Sequence, residues 1–181
     1  MDGAGSVFGP EDGKPAPRRK RDRAMAALMR RQEGAIALGQ LQAMGFSADE
    51  VVGLVEHGAL QRLHRAVFLD ARAPIPPRGH LFAALQAAGP AAFLSHRTAA
   101  ALYGLRAINV REIELTVIAG HTPRHAGLRI HRTRNAPHTD ELRTKDGLRV
   151  SSVGNDGLHW PRRDGLKWPH FASVVVGVDV A

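Results

Sequence analysis

Histidine, serine and arginine are the residues with chemistry to offer in this sequence. Ser95 and His96 stand side by side, the pairing from which a base-activated hydroxyl is built. A nucleophile needs a base and a third group to orient that base, and no acidic partner for His96 is evident along the chain. Ser95 therefore reads as the N-cap of a helix, with His96 and Arg97 in its first turn. His121 and His125 have the i, i+4 spacing that can pin a metal on a helix. Gly120 and Pro123 break such a helix, so these two, like His131 and His138, read as surface histidines. Asp140, Glu141 and Lys145 lack the strand-borne Asp…Glu-x-Lys pattern of a nuclease. The absence of Cys excludes thiolate chemistry and Cys-ligated zinc. No catalytic residue, metal ligand or cofactor is expected.

The arginines point elsewhere. The net charge is +8, and a basic excess of this size favours a polyanionic partner, most often nucleic acid. Arg18, Arg19, Lys20, Arg21 and Arg23 follow a Gly- and Pro-rich opening. Together, residues 1–23 read as a disordered basic tail able to bind phosphates through counterion release. Arg62, His64 and Arg65 cluster around a polar hairpin tip. Arg129, His131, Arg132 and Arg134 lie on or near one strand and would give the second half of the chain a basic face, with Arg132 and Arg134 pointing the same way.

The elements that must position these groups follow from hydrophobic period and turn chemistry. Residues 24–32 form a helix with Met25, Leu28 and Met29 on one face, closed by Gly34. A short extended link at Ile36 and Ala37 leads to a second helix over 40–44. After Gly45-Phe46, Ser47 and Glu50 make a capping box that opens a third helix running to about His57. Residues 60–63 and 67–69 are two strands about His64-Arg65-Ala66. Two short helices about a Gly-containing turn, followed by a hairpin, are the pattern of a winged helix-turn-helix over 24–73. The second helix of the helix-turn-helix pair, the third in the chain, would enter the major groove and expose Asp49, Glu50, Gly53, Glu56 and His57. Arg, the commonest partner of guanine, is missing there. Ser47, Asp49 and His57 are the base-reading candidates, and the hairpin and basic tail would carry most of the phosphate contact.

Pro74, Pro76 and Pro77 mark a domain boundary. Beyond it come helices over 79–88 and 96–103 and strands over 113–118, 128–133 and 148–153. The fold class is α+β: a winged helix-turn-helix followed by a small α+β domain over 78–153. Residues 154–181 contain both Trp residues without periodicity and read as an atypical tail. No apolar run approaches the length of about 18–20 residues needed to span a membrane, and the N-terminus lacks the apolar segment of a secretory signal.

From about Met25 to Val153 the sequence resembles the AbiEi-type antitoxin family of type IV toxin–antitoxin systems. Three stretches carry the resemblance: GALQRLHRAVFLD from Gly58, AFLSHRTAAALYGL from Ala92, and LRIHRTR from Leu128 with DGLRVSSV from Asp146. The resemblance implies a cytoplasmic protein that binds double-stranded DNA in its own promoter, represses its operon and opposes a nucleotidyltransferase toxin. After Val153 the family's Arg-Thr-x-x-Asp-Leu-type helix is missing, which suggests a truncation or frameshift. Two alternatives stand beside the regulator. One is a winged-helix protein-interaction module without DNA binding, favoured by the acidic third helix. The other is a truncated remnant of a nuclease-domain relative.

Overall fold

Helix formers fill every position from Arg18 to Arg31 except Asp22, and the computed structural model, which describes residues 17–118, 125–134, 137 and 141–152, coils them as one helix, α1 (Arg18–Arg31). The basic tail expected over 1–23 is therefore helical from Arg18 onward, because its Arg and Lys residues are themselves good helix formers and continue the pattern begun at Met25. β1 (Ala35–Ala37), α2 (Leu38–Ala43), α3 (Ala48–Glu56), β2 (Leu60–His64) and β3 (Val67–Asp70) follow. The capping box opens α3 as expected: Glu50 N–H donates to Ser47 Oγ at 3.2 Å, and Ser47 N–H donates to Glu50 Oε2 at 2.8 Å.

β1, β3 and β2 form an antiparallel sheet in that order. Both of its faces are covered. Ile36, Leu60 and Phe68 pack with Met25, Met29, Leu41, Phe46 and Val51 on the helical side. Ala35, Val67 and Leu69 face the other way, into a core built with α4 (Pro77–Ala88). That is why β3 reads as an unbroken apolar run rather than an alternation. The three prolines interrupt the chain path but not the packing, since the hydrophobic core is continuous across them. Pro77 occupies the first turn of α4, where its missing N–H costs nothing. Arg78 reaches Glu33 at 3.1 Å and Asp146 at 3.2 Å, tying the two halves together.

The remaining elements are β4 (Ala92–Leu94), α5 (His96–Leu102), β5 (Ile113–Ile118), β6 (Leu128–Thr133), β7 (Leu142–Lys145) and β8 (Leu148–Ser151). They build a mixed five-stranded sheet in the order β6-β5-β4-β8-β7. Leu94, Leu115, Leu148 and Val150 are its fully buried centre. β7 has no counterpart in the sequence reading. Two of its four residues are charged, and it lies at the sheet edge, where such residues are tolerated. Among the described residues, no helix is long and apolar enough to cross a membrane.

Candidate functional site

The residues expected to contact DNA are distributed over three elements. On α3, Asp49, Glu56 and His57 are exposed, with Val52 half exposed between them. His57 holds a ring nitrogen 2.6 Å from the Gly53 carbonyl oxygen, which restrains its orientation. Ser47 is engaged in the cap, so its hydroxyl serves the helix rather than a base. Arg18, Arg19, Lys20 and Arg23 are exposed on α1.

Arg21 departs from its expected role as a phosphate contact. It falls on the apolar side of α1 with Met25 and Met29, so the helix turns it inward. Its guanidinium makes two parallel bonds to Glu50, Nη2 to Oε1 at 2.8 Å and Nη1 to Oε2 at 3.0 Å. It also donates to the Gly45 carbonyl and lies 4.9 Å from the centre of the Phe46 ring. This bidentate geometry clamps α1 to the start of α3 and neutralises one of the carboxylates that would face phosphate. The Arg21 hydrogen bonds, with the Ser47 N–H behind them, hold the Glu50 carboxyl down at about 2. Its folded value lies below the ordinary 4.5, so its stabilisation is complete above pH 4.5 and is lost as pH falls through about 2. Glu50→Gln should flatten the acid limb of stability against pH in that window, measured by urea midpoints. An unchanged acid limb would contradict the clamp.

On the hairpin, Arg62 and Arg65 are exposed, with the Arg62 guanidinium 5.7 Å from the Phe68 ring centre. His64 does not join them. A register shift between Arg62 and His64 brings His64, instead of Leu63, opposite Val67, a bulge that re-aims the side chain. His64 is buried, and its ring centre lies 5.0 Å from that of His125. Burial, then the neighbouring His125 and His80, holds the His64 imidazole below its ordinary 6.5, and burial does the same to His80. The unfolded chain therefore binds more protons just below pH 6.5, and stability falls as pH drops from 6.5 towards the folded values. Urea midpoints at pH 7.5 and 5.0 should show this loss, and His64→Gln should reduce it.

The basic residues of β6 do not share one face. Arg129 and Arg132 are three apart on a strand and point to opposite sides. Arg129 is drawn to Glu112 at 3.5 Å and Glu114 at 3.9 Å. Arg134 is exposed just beyond the strand. His121, His138 and Asp140, and the expected tail over 154–181, lie outside the described residues.

A cluster centred on Ser95 is not foreseen from the linear sequence. Ser95 occupies the N-cap position of α5, yet its hydroxyl does not cap the helix. It accepts from Thr116 Oγ1 at 2.8 Å and lies 2.9 Å from His96 Nδ1. His96 itself takes a left-handed φ of 51°, a sparsely populated conformation for a residue with a Cβ. The nearby carboxylate that the linear sequence does not reveal is Glu114, which is 4% exposed and has a carboxylate oxygen within 4.8 Å of a His96 ring nitrogen. Its Oε2 lies 3.6 Å from His131 Nε2, and its Oε1 lies 3.9 Å from Arg97 and from Arg129. The rings of His96 and His131 stack at 3.8 Å. Burial lowers the pKa of both. Next in His96 comes the charge of His131, opposed by Glu114, and in His131 Glu114 is the main opposing influence. The available signal was the alternation Ile-Glu-Leu-Thr-Val in β5: Glu114 and Thr116 share a face, and Thr116 pairs in register with His131 of β6. Ser95 is fully buried.

No protein-family model matches the sequence, and no curated protein matches it.

Proposed function

We propose that the first half of this chain is a winged helix that binds double-stranded DNA, and that the protein is a transcriptional regulator. The observation that supports this best is the order α1-β1-α2-α3-β2-β3 with the sheet order β1-β3-β2, which sets α3 beside an exposed basic hairpin. Arg62 and Arg65 on the hairpin, and Arg18, Arg19, Lys20 and Arg23 on α1, supply the phosphate contacts. Asp49 and His57 are the remaining base-edge candidates on α3, where a carboxylate can accept from cytosine N4. Autorepression of an antitoxin operon is the regulatory role that the sequence resemblance adds.

The stripe formed by Asp49, Val52 and Glu56 favours a second reading, a protein-interaction surface, because two carboxylates and an exposed valine suit a basic or apolar partner better than phosphate. Affinity for a duplex from the gene's own upstream region, measured across a salt series, separates the two. A steep linear fall of log K with log salt supports DNA binding. No binding at low salt favours the interaction module.

A further inference from the structure

We propose that His96, Glu114 and His131 form a binding site for a divalent transition metal ion of the zinc class. One ligand atom from each residue lies within 4.8 Å of the others. In a tetrahedral zinc site with bonds near 2.0–2.1 Å, ligand atoms sit about 3.3 Å apart, so closing the set requires the two stacked imidazoles to turn their lone pairs towards one point. Two imidazoles and one carboxylate are the donor types that such ions select, and Mg²⁺ and Ca²⁺ prefer all-oxygen sites.

Two independent features accompany the proximity. His131 Nε2 is shielded from solvent, and its nearest partner, Glu114 Oε2 at 3.6 Å, lies beyond hydrogen-bond distance, so no short hydrogen bond satisfies it. His96 takes its left-handed conformation between two fixed neighbours: Ser95 N–H donates to the Glu114 carbonyl, and Glu114 N–H donates to Thr98 Oγ1. Strain of this kind persists where the surroundings over-determine a side chain's position.

The outer groups suit the same role. In the tautomer in which His96 Nδ1–H donates to Ser95 Oγ, the lone pair resides on Nε2, and Thr116 in turn fixes Ser95. Metal-ligating histidines are oriented in this way. The Arg97 and Arg129 guanidinium groups lie 3.9 Å from Glu114 Oε1, and the Arg97 backbone N–H donates to Oε2 at 3.5 Å. Their charges oppose a cation, but both are more than half exposed and screened. They would also attract an anion to the metal's open position.

The test uses the full chain without an affinity tag, titrated with Zn²⁺ by calorimetry and with Co²⁺ by visible absorption. One equivalent of Zn²⁺ should bind, at least tenfold more weakly in Glu114→Gln and in His131→Ala. Glu112→Gln, a neighbouring exposed carboxylate, should change it less than twofold. Failure of the parent chain to bind Zn²⁺, or undiminished binding by both variants, overturns the proposal. Should the variants not fold, the parent's Co²⁺ spectrum decides: an intense tetrahedral band supports the site, and an octahedral spectrum or none overturns it.

Discussion

Gly79→Ala should destabilise the protein by about 1–3 kcal/mol, measured by equilibrium urea unfolding. On an ordinary helix this change stabilises by up to about 1 kcal/mol, so the sign is informative. A Cβ at Gly79 would lie 2.2 Å from the Glu33 carbonyl oxygen and 2.7 Å from Ile75 Cγ2. The Glu33 carbonyl cannot swing away freely. It belongs to a turn in which Glu33 and Gly34 both have positive φ, at 49° and 92°. Gly34 N–H bonds to the Met29 carbonyl at 2.8 Å, and the Gly34 carbonyl accepts from Asp70 N–H at 2.9 Å. The backbone of α4 is thus keyed into the turn between α1 and β1. Gly39→Ala is the control: it lies in α2 with nothing within 4 Å of the added Cβ, and it should be neutral or stabilising. Because the core is continuous across the prolines, the parent should unfold in one transition. A Gly79→Ala variant as stable as its parent would contradict the interlock.

The double variant Arg62→Ala, Arg65→Ala should lose DNA affinity by roughly 10–100-fold at moderate salt, at about 1.5 kcal/mol or less for each charge-assisted contact. The salt dependence carries more information. Each phosphate contact removed lowers the slope of log K against log salt by about one, so the pair should flatten it by nearly two. Arg21→Ala should behave differently, lowering the unfolding temperature through the broken clamp to Glu50 while leaving the slope unchanged. Titrating both variants beside the parent by fluorescence anisotropy separates charge at the surface from charge built into the fold. A slope that stays the same in the Arg62, Arg65 variant would remove the hairpin from the DNA-binding account.

Much of the fold was legible because local chemistry and tertiary demand agree. Ser47 and Glu50 announce α3, and the Ile-Glu-Leu-Thr-Val-Ile run is β5 from end to end. Three features were not legible, each for a physical reason. Arg21 looks like one more basic residue in a run, and only helical phase places it inward. His64 depends on a bulge, which a sequence does not announce. Glu114 meets His96 and His131 only because β4, β5 and β6 align in register, a contact across 18 residues in one direction and 17 in the other. One missed element did have a signal. Asp146-Gly147, with φ of 51° and 81°, is the two-residue turn that joins hairpin strands, and it could have revealed β7 before β8.

The proposed function is sequence-selective DNA binding through a winged helix whose phosphate contacts come from the hairpin and α1. The most direct test is the ratio of affinities for the gene's own upstream duplex and for a scrambled duplex of equal length, at physiological salt. The account predicts a ratio of at least about 10³, falling when Asp49 and His57 are both replaced by alanine. A ratio near one would reduce the protein to a basic surface and contradict the claim.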